Sequence, residues 1–341
     1  MLFKRVEKRE RFIGCMLGGA VGDALGYEVE FESLERIRER FGEGGIRDFV
    51  SEIGYISDDT QMSLFLAESL IGAMGAELGS DGLIARMYLG MLDWYRMQRG
   101  GDISHGVASR LGKYPSLGEG RAPGMTCMSA LGSGVCGSVA EPINHSKGCG
   151  GIMRVAPVAL FTAFKYSAGF AATLGAESSA ITHGHELGYI PSAFLVYMIR
   201  YIVTEEPEKL ISAVEYAVRE IEHLYPRQKG TAVVLELVDR AVKLAGSDMA
   251  PTDAIAELGE GWVAEETLAV AVYSVLKARD FREAVIIAAN HSGDSDSTAA
   301  VAGNIMGAHL GVGAIPVGFA SSVELSALVS RIAHELYFAA L

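Results

Sequence analysis

The sequence predicts an all-α protein, and three observations carry that expectation. Apolar residues recur at helical spacing along nearly all of the chain. Helix starts are marked by capping chemistry. Period-two alternation of β-branched residues is almost absent, and the best stretches, 45–53 and 315–319, are both weak. A chain of 341 residues, 50% apolar and 21% charged, can fill a core and is neither mostly disordered nor collagen-like. Glycine is the outlier at 41 residues, well above the roughly 7% of an average protein.

Met1 to Lys4 run straight into charges, unlike a secretory leader. Lys4, Arg5, Lys8, Arg9 and Arg11 are interleaved with Glu7 and Glu10, which reads as a solvated helix face. In the helical segment 12–25, Gly14, Gly18 and Gly22 fall at i, i+4 and i+8, and Gly303 and Gly307 repeat that spacing in 297–310. Such stripes remove side chains where another helix crosses and predict closely packed central helices. A dinucleotide fingerprint is rejected for Gly14 to Gly22, because no strand precedes it. Ser80-Asp81 precedes a helical run at 83–97.

From 114 to 151 periodicity fades among glycines, serines and prolines, and so long a segment inside a compact domain predicts a binding loop. His183 and His185 form an H-x-H pair that reads as buried and hydrogen-bonded. Leu210, Val214, Val218, Ile221 and Leu224 form one apolar face of a helix opening near Pro207. Glu265 and Glu266 suit the first turn of a helix after Trp262. Asp280 with Glu283 makes a capping-box-like pair. Asp102 and His105 read as loop surface, and the 13 methionines as core filling.

Several function classes are disfavoured. A net charge of −13 without clustered Lys or Arg argues against a sequence-independent nucleic-acid binder. No run of 18 apolar residues predicts a membrane span, so the cytoplasm is the expected location. Cys15, Cys127, Cys136 and Cys149 lack C-x-x-C spacing and predict reduced thiols, without a thiolate zinc site.

Two acidic clusters stand apart. Ser57-Asp58-Asp59-Thr60 and Asp294-Ser295-Asp296-Ser297-Thr298 each open a helix, where acids and hydroxyls cap free N–H groups. One cap needs one side chain, yet each cluster supplies two acids with hydroxyls, a surplus. Asp294 and Asp296 would point the same way only if the helix begins at about Ser297. Such oxygen donors suit Mg²⁺, Mn²⁺ or Ca²⁺ rather than zinc. Spacing alone leaves capping and a shared metal site both open. If the site is shared, it holds one ion or two, and one compact helical domain over residues 1–341 is the preferred organisation.

Five blocks then carry a family resemblance. They are the glycine-rich run from Gly14 to Gly26 with Glu30-Phe31, Ser57-Asp-Asp-Thr60, Gly148-Cys-Gly-Gly-Ile-Met-Arg154-Val-Ala-Pro157, Thr182-His183, and Gly293-Asp-Ser-Asp-Ser-Thr298. In that order the sequence resembles the ADP-ribosylglycohydrolase family from about residue 10 to 312. The resemblance implies a compact orthogonal multi-helix fold with two divalent cations, Mg²⁺ or Mn²⁺, at the base of an ADP-ribose cleft. It implies removal of ADP-ribose from arginine or serine side chains, or hydrolysis of related conjugates. Arginine is the expected acceptor; O-linked serine or acetyl-ADP-ribose is the alternative, and a non-catalytic ADP-ribose-binding relative is the reading from another class. The partner is then an ADP-ribose conjugate, an ADP-ribosylated protein included.

Residue by residue, the resemblance implies metal ligands Ser57, Asp58, Asp59, Asp294, Asp296 and Ser297, with Ser standing where many members have Thr. It implies that Glu30 sits near the reactive ribose, Glu28 being the alternative in register, and that His183 lies near the distal ribose or the diphosphate. An oxocarbenium-like state is eased when cations fix the ribose hydroxyls and a carboxylate, Asp59 or Glu30, activates water. Asp58, Asp59 and Glu30 are thus the catalytic candidates, and Glu30 is alternatively a gate. Ser146, Lys147, Gly148, Cys149, Gly150 and Gly151 form a loop whose N–H groups suit a diphosphate, followed by a short helical turn cut by Pro157. Tyr114 or Tyr189 is the expected stacking partner of adenine. Cys149 stands where many members have Asn, and Ala122-Pro123-Gly124 where arginine-specific nitrogenase-regulating members carry an acidic turn.

Overall fold

The computed structural model describes residues 6–76 and 78–341; Lys4 and Arg5 of the basic stretch lie outside them. The chain runs through α1 (Lys8–Tyr27), α2 (Leu34–Phe41), α3 (Asp58–Ile71), α4 (Ser80–Gln98), α5 (Met125–Gly132), α6 (Ala156–Phe161), α7 (Ala168–Ala180) and α8 (Glu186–Glu205). It continues through α9 (Leu210–Leu224), α10 (Lys229–Ala245), α11 (Pro251–Ala256), α12 (Ala264–Lys277), α13 (Phe281–Ala289), α14 (Ser295–Leu310), α15 (Val317–Ser322) and α16 (Ser326–Ala340). Among the described residues there is no strand. The weak candidates at 45–53 and 315–319 form none, and backbone pairing is limited to isolated bridges, Gly54 with Val323 and Gly148 with Val263.

α1 and α14 form the centre, and the two glycine stripes face one another. A Cβ on Gly18 would stand 2.4 Å from the Gly303 carbonyl oxygen, and one on Gly14 2.3 Å from that of Gly307. Only a bare Cα allows backbones so close. The contact runs on through Gly22 against Ala299 and Gly26 against Ser295, which brings the end of α1 onto the start of α14.

Local chemistry moves several expected boundaries. α14 begins at Ser295, two residues before the expected start, because the Asp294 side chain caps it by accepting from the Ser297 N–H. Pro207 lies between helices: α8 runs on to Glu205 and ends at Glu206 in the left-handed region, and α9 starts at Leu210. Pro157 occupies the first turn of α6, where its missing N–H is harmless, instead of cutting a turn. Ser80 is the first residue of α4, behind Gly79 at the cap position. Asp280 caps α13 as expected, accepting from the Glu283 N–H.

Arg11 departs from the solvated face. It is buried, and its guanidinium donates to the carbonyls of Ala308 and His309 at the end of α14. Those carbonyls have no helical partner and carry the negative end of the helix dipole. α8 is long and apolar enough to cross a membrane, which the sequence windows had not suggested, but most of it is buried in the core.

Candidate active site

α3 owes its position to Asp23. That carboxylate, inside α1 and fully buried, accepts from the N–H of Ser57 at 3.0 and 3.2 Å, from the N–H of Thr60 at 3.1 Å and from the Thr60 hydroxyl. The start of α3 is thereby fastened beside the start of α14. Ser57 caps α3, its Oγ accepting from the Asp59 N–H at 3.2 Å. The same side chain faces Asp296 across the gap between the two clusters and favours its charged form.

The clusters share one cleft of about 300 Å³. Asp58, Asp59, Asp294, Asp296 and Ser297 line its floor, and Glu30, from the turn after α1, lines its wall. Asp294 and Asp296 converge although the helix has already begun: both accept from the Ser297 N–H, at 3.2 and 2.9 Å, because Asp294 leaves helical geometry at ψ 75°. Asp58 also accepts from Gly124 N–H at 3.2 Å, which draws the Ala122-Pro123-Gly124 turn to the rim. Glu28 lies outside, in a neighbouring depression with Tyr27 and Arg121, so the register places Glu30 in the cleft.

Burial pushes all of these carboxyls above the ordinary range. It is the first cause for Asp58, Asp59 and Asp296, each held well up, with the charge of a neighbouring Asp adding to it. Asp294 is also raised, by burial, against hydrogen bonds that favour its charge. Glu30 rises to about 10, through burial and then through Asp296, Asp294 and Asp58. Asp59 Oδ2 and Glu30 Oε2 are buried without a hydrogen-bond partner. Crowded anionic oxygens lacking a counter-charge are a donor set suited to hard cations. Among the described residues, no three His, Cys, Asp or Glu side chains stand arranged to hold an ion, so the fit lies in their chemistry and not in a preformed shell.

The opposite wall is the loop before α6. Gly148, Cys149 and Gly150 line the cleft, whereas Ser146 and Gly151 stand behind it. The expected anion nest is partly spent: Gly148 N–H donates to Ser146 Oγ at 3.3 Å and Cys149 N–H to the Trp262 carbonyl at 3.2 Å. Gly151 packs so tightly that a Cβ there would lie 1.7 Å from Ser179 Oγ. Cys149 Sγ hydrogen-bonds Asp294 Oδ2 at 2.8 Å, and burial holds its thiol well above the usual range, so it is protonated and not a nucleophile. Lys147 pairs with Glu265 at 2.5 Å and ties this loop to the start of α12.

His183 lines the same wall. His185 instead caps α8, its Nδ1 accepting from Leu187 N–H at 3.0 Å, so the two histidines do not bond each other as expected. Tyr114 and Tyr189 are absent from the cleft lining; Tyr189 is buried against Tyr225. The aromatic groups present are Phe31 and Trp262, stacked at 5.3 Å with planes 21° apart. Phe31 is 68% exposed and holds the left-handed φ of 66°. Trp262 arrives through a loop pressed on Gly293, where a Cβ would come 2.0 Å from the Glu260 carbonyl oxygen. Asp23 and this aromatic pair were not assigned by sequence. Asp23 had a signal, a lone acid inside a glycine-striped apolar helix.

A family model described as ADP-ribosylglycohydrolase matches residues 4–340. An ADP-ribosylarginine hydrolase Tri1 of Pseudomonas putida is 27% identical, over 96% of this chain and 78% of that one. ADP-ribosylhydrolase ARH3 of Mus musculus is 26% identical over 92% and 87%. An ADP-ribosyl-[dinitrogen reductase] glycohydrolase of Rhodospirillum rubrum is 25% identical over 93% and 91%. Among solved structures, an ADP-ribosylglycohydrolase-related protein complex matches in fold with a TM-score of 0.55 at 24% identity, covering 98% of this chain and 99% of its own.

Proposed function

The chain belongs to the ADP-ribosylglycohydrolase family, and from that membership we propose that it is a cation-dependent hydrolase cleaving the bond between ADP-ribose and an arginine side chain. The observation that carries this reading is the cleft itself: five carboxylates brought from the turn after α1 and from the starts of α3 and α14, two of them with a buried oxygen that has no partner. Capping requires none of that surplus.

Asp58, Asp59, Asp294 and Asp296, with the hydroxyls of Ser57 and Ser297, are the residues that would hold Mg²⁺ or Mn²⁺. Such ions supply fixation of the ribose diol and stabilisation of negative oxygen. The protein's own part is general acid–base work. Asp59 Oδ2 and Glu30 Oε2, buried without a partner, would be the oxygens to take a proton from the attacking water once bound cations offset the crowding that holds both carboxyls up. The guanidine leaves as a protonated group, and an acidic cleft favours a cationic leaving group. Tri1, by name an ADP-ribosylarginine hydrolase, supports that acceptor. An O-linked acceptor is the second reading, favoured by the Ala122-Pro123-Gly124 turn, which brings no carboxylate to the rim.

The test runs ADP-ribosyl-arginine, ADP-ribosyl-serine and acetyl-ADP-ribose in parallel, with Mg²⁺ or Mn²⁺ and with a chelator. The arginine conjugate should release ADP-ribose, and the chelator should stop it. Asp59→Ala and Asp294→Ala should each abolish turnover while circular dichroism stays unchanged. Retained turnover in either variant would sink the mechanism. Release from serine alone would move the acceptor, and binding without turnover would make the protein an ADP-ribose reader.

A further inference from the structure

We propose that Glu266 is a positioning residue that holds both Asp294 and the Trp262 wall of the cleft through the turn at 259–261; that Asp294 serves a cation rests on the reading above.

Glu266 lies in the first turn of α12, behind Val263 at the cap position. A glutamate at the third helical position ordinarily reaches back to the N–H of the cap residue. Glu266 reaches further: its Oε2 accepts from the N–H groups of Glu260 at 3.1 Å and Gly261 at 3.2 Å. Two successive N–H groups converge on one oxygen because the turn holds positive φ, 120° at Gly259 and 82° at Gly261. It closes tightly on the carboxyl, since a Cβ at Gly259 would lie 2.3 Å from Glu266 Cδ.

Both sides of that turn lead to the cleft. On one, the Glu260 carbonyl accepts from the Asp294 N–H at 2.8 Å, and a Cβ on Gly261 would come 3.3 Å from the Asp294 carbonyl oxygen. Asp294 is the bent cap residue whose carboxyl converges with that of Asp296, so its backbone is held from behind. On the other, the Trp262 carbonyl accepts from the Cys149 N–H at 3.2 Å, and the Ala264 N–H donates to the Lys147 carbonyl at 2.9 Å. The same stretch carries the Trp262 ring onto Phe31. Glu266 does not itself line the cleft, so its effect on the site passes through these backbone contacts. Without its carboxylate the Glu260 and Gly261 N–H groups lose their acceptor, and the turn backing Asp294 and Trp262 relaxes towards water.

The test takes the full-length protein with Mn²⁺ alone, following the electron paramagnetic resonance signal of the free ion, and separately measures acrylamide quenching of tryptophan emission. The chain has two tryptophans and Trp94 is fully buried, so quenching reports Trp262. Glu266→Ala should weaken Mn²⁺ binding about tenfold, the size of one hydrogen bond to a charged group, and should raise the quenching. Glu266→Gln, which keeps an acceptor oxygen, should restore both. A carboxylate serving stability alone would lower Tm and leave both readings of the folded protein unmoved. Unchanged Mn²⁺ affinity or unchanged quenching in Glu266→Ala would therefore overturn the proposal. Should that variant fail to fold, Glu266→Asp, one methylene short of the two N–H groups, carries the same expectations, and wild-type values in it would overturn the proposal equally. A wild type that takes up no Mn²⁺ would reject the cation reading and with it the role through Asp294, while quenching still decides the role through Trp262.

Discussion

His309 shows how one buried contact sets a pH dependence. It sits in the last turn of α14, where a helix dipole ordinarily favours a charged imidazole. Here Arg11 already occupies that helix end, and burial, then the Arg11 charge, lowers the His309 pKa to about 4. The folded ring is neutral, and the unfolded one takes a proton below its ordinary 6.5. Between pH 6.5 and about 4 the unfolded state binds more protons, so this contribution is full above 6.5 and is lost as the pH falls. Urea melts of wild type and His309→Gln should therefore converge on acidification through that window, by about 1 kcal/mol after allowance for the half-buried ring. A constant difference across it would reject the assignment. Arg11 was misread as solvated because charge interleaving reports a polar helix face, not the carbonyls that face meets. The aspartates were legible, since their surplus over capping is a sequence fact. Phe31 and Trp262 were not, because their stacking depends on two loops far apart in the chain.

At the scale of elements, the glycine stripes were the clearest signal. Spacing at i, i+4 and i+8 reports a bare helix face, and bare faces find each other. Gly22→Ala should be severe, since its Cβ would lie 1.9 Å from the Ala299 carbonyl oxygen, a backbone atom that cannot swing away. A loss of about 3 kcal/mol or more is expected in urea. Gly318→Ala, in α15 with nothing within 4 Å of the added carbon, should be neutral or stabilise by up to about 1 kcal/mol. Equal effects at the two sites would refute close approach as the reason for the stripe. Helix ends were less legible. The start of α14 was set two residues late because the requirement that Asp294 and Asp296 converge was assigned to an extended backbone; the structure meets it with one bent cap residue. Pro207 was assigned to the start of α9, whereas it follows the end of α8, since a proline marks a boundary without saying on which side the helix lies.

For the whole molecule, a formal charge of −13 includes five acids crowded into one cleft. Cations bound there would relieve repulsion in the folded state alone. Mg²⁺ or Mn²⁺ should accordingly raise Tm in a concentration-dependent way, reaching about 2.7 kcal/mol of added stability at one hundred times Kd. The Asp59→Ala, Asp294→Ala double variant should lose that response. An unchanged Tm in the wild type at millimolar cation would argue that the carboxylates bind none.

The pairing of α1 with α14 also bears on how the chain comes to fold. Arg11 and the Ala308 carbonyl it holds are 297 positions apart. During synthesis α1 emerges long before the surface it must cover. A bare glycine stripe and the apolar faces of α1 therefore wait exposed, and closing so long a loop is slow. The central helix pair, with the packing of α16 onto α1 after it, is among the last large contacts available to form, so apolar surface stays open to wrong partners until late.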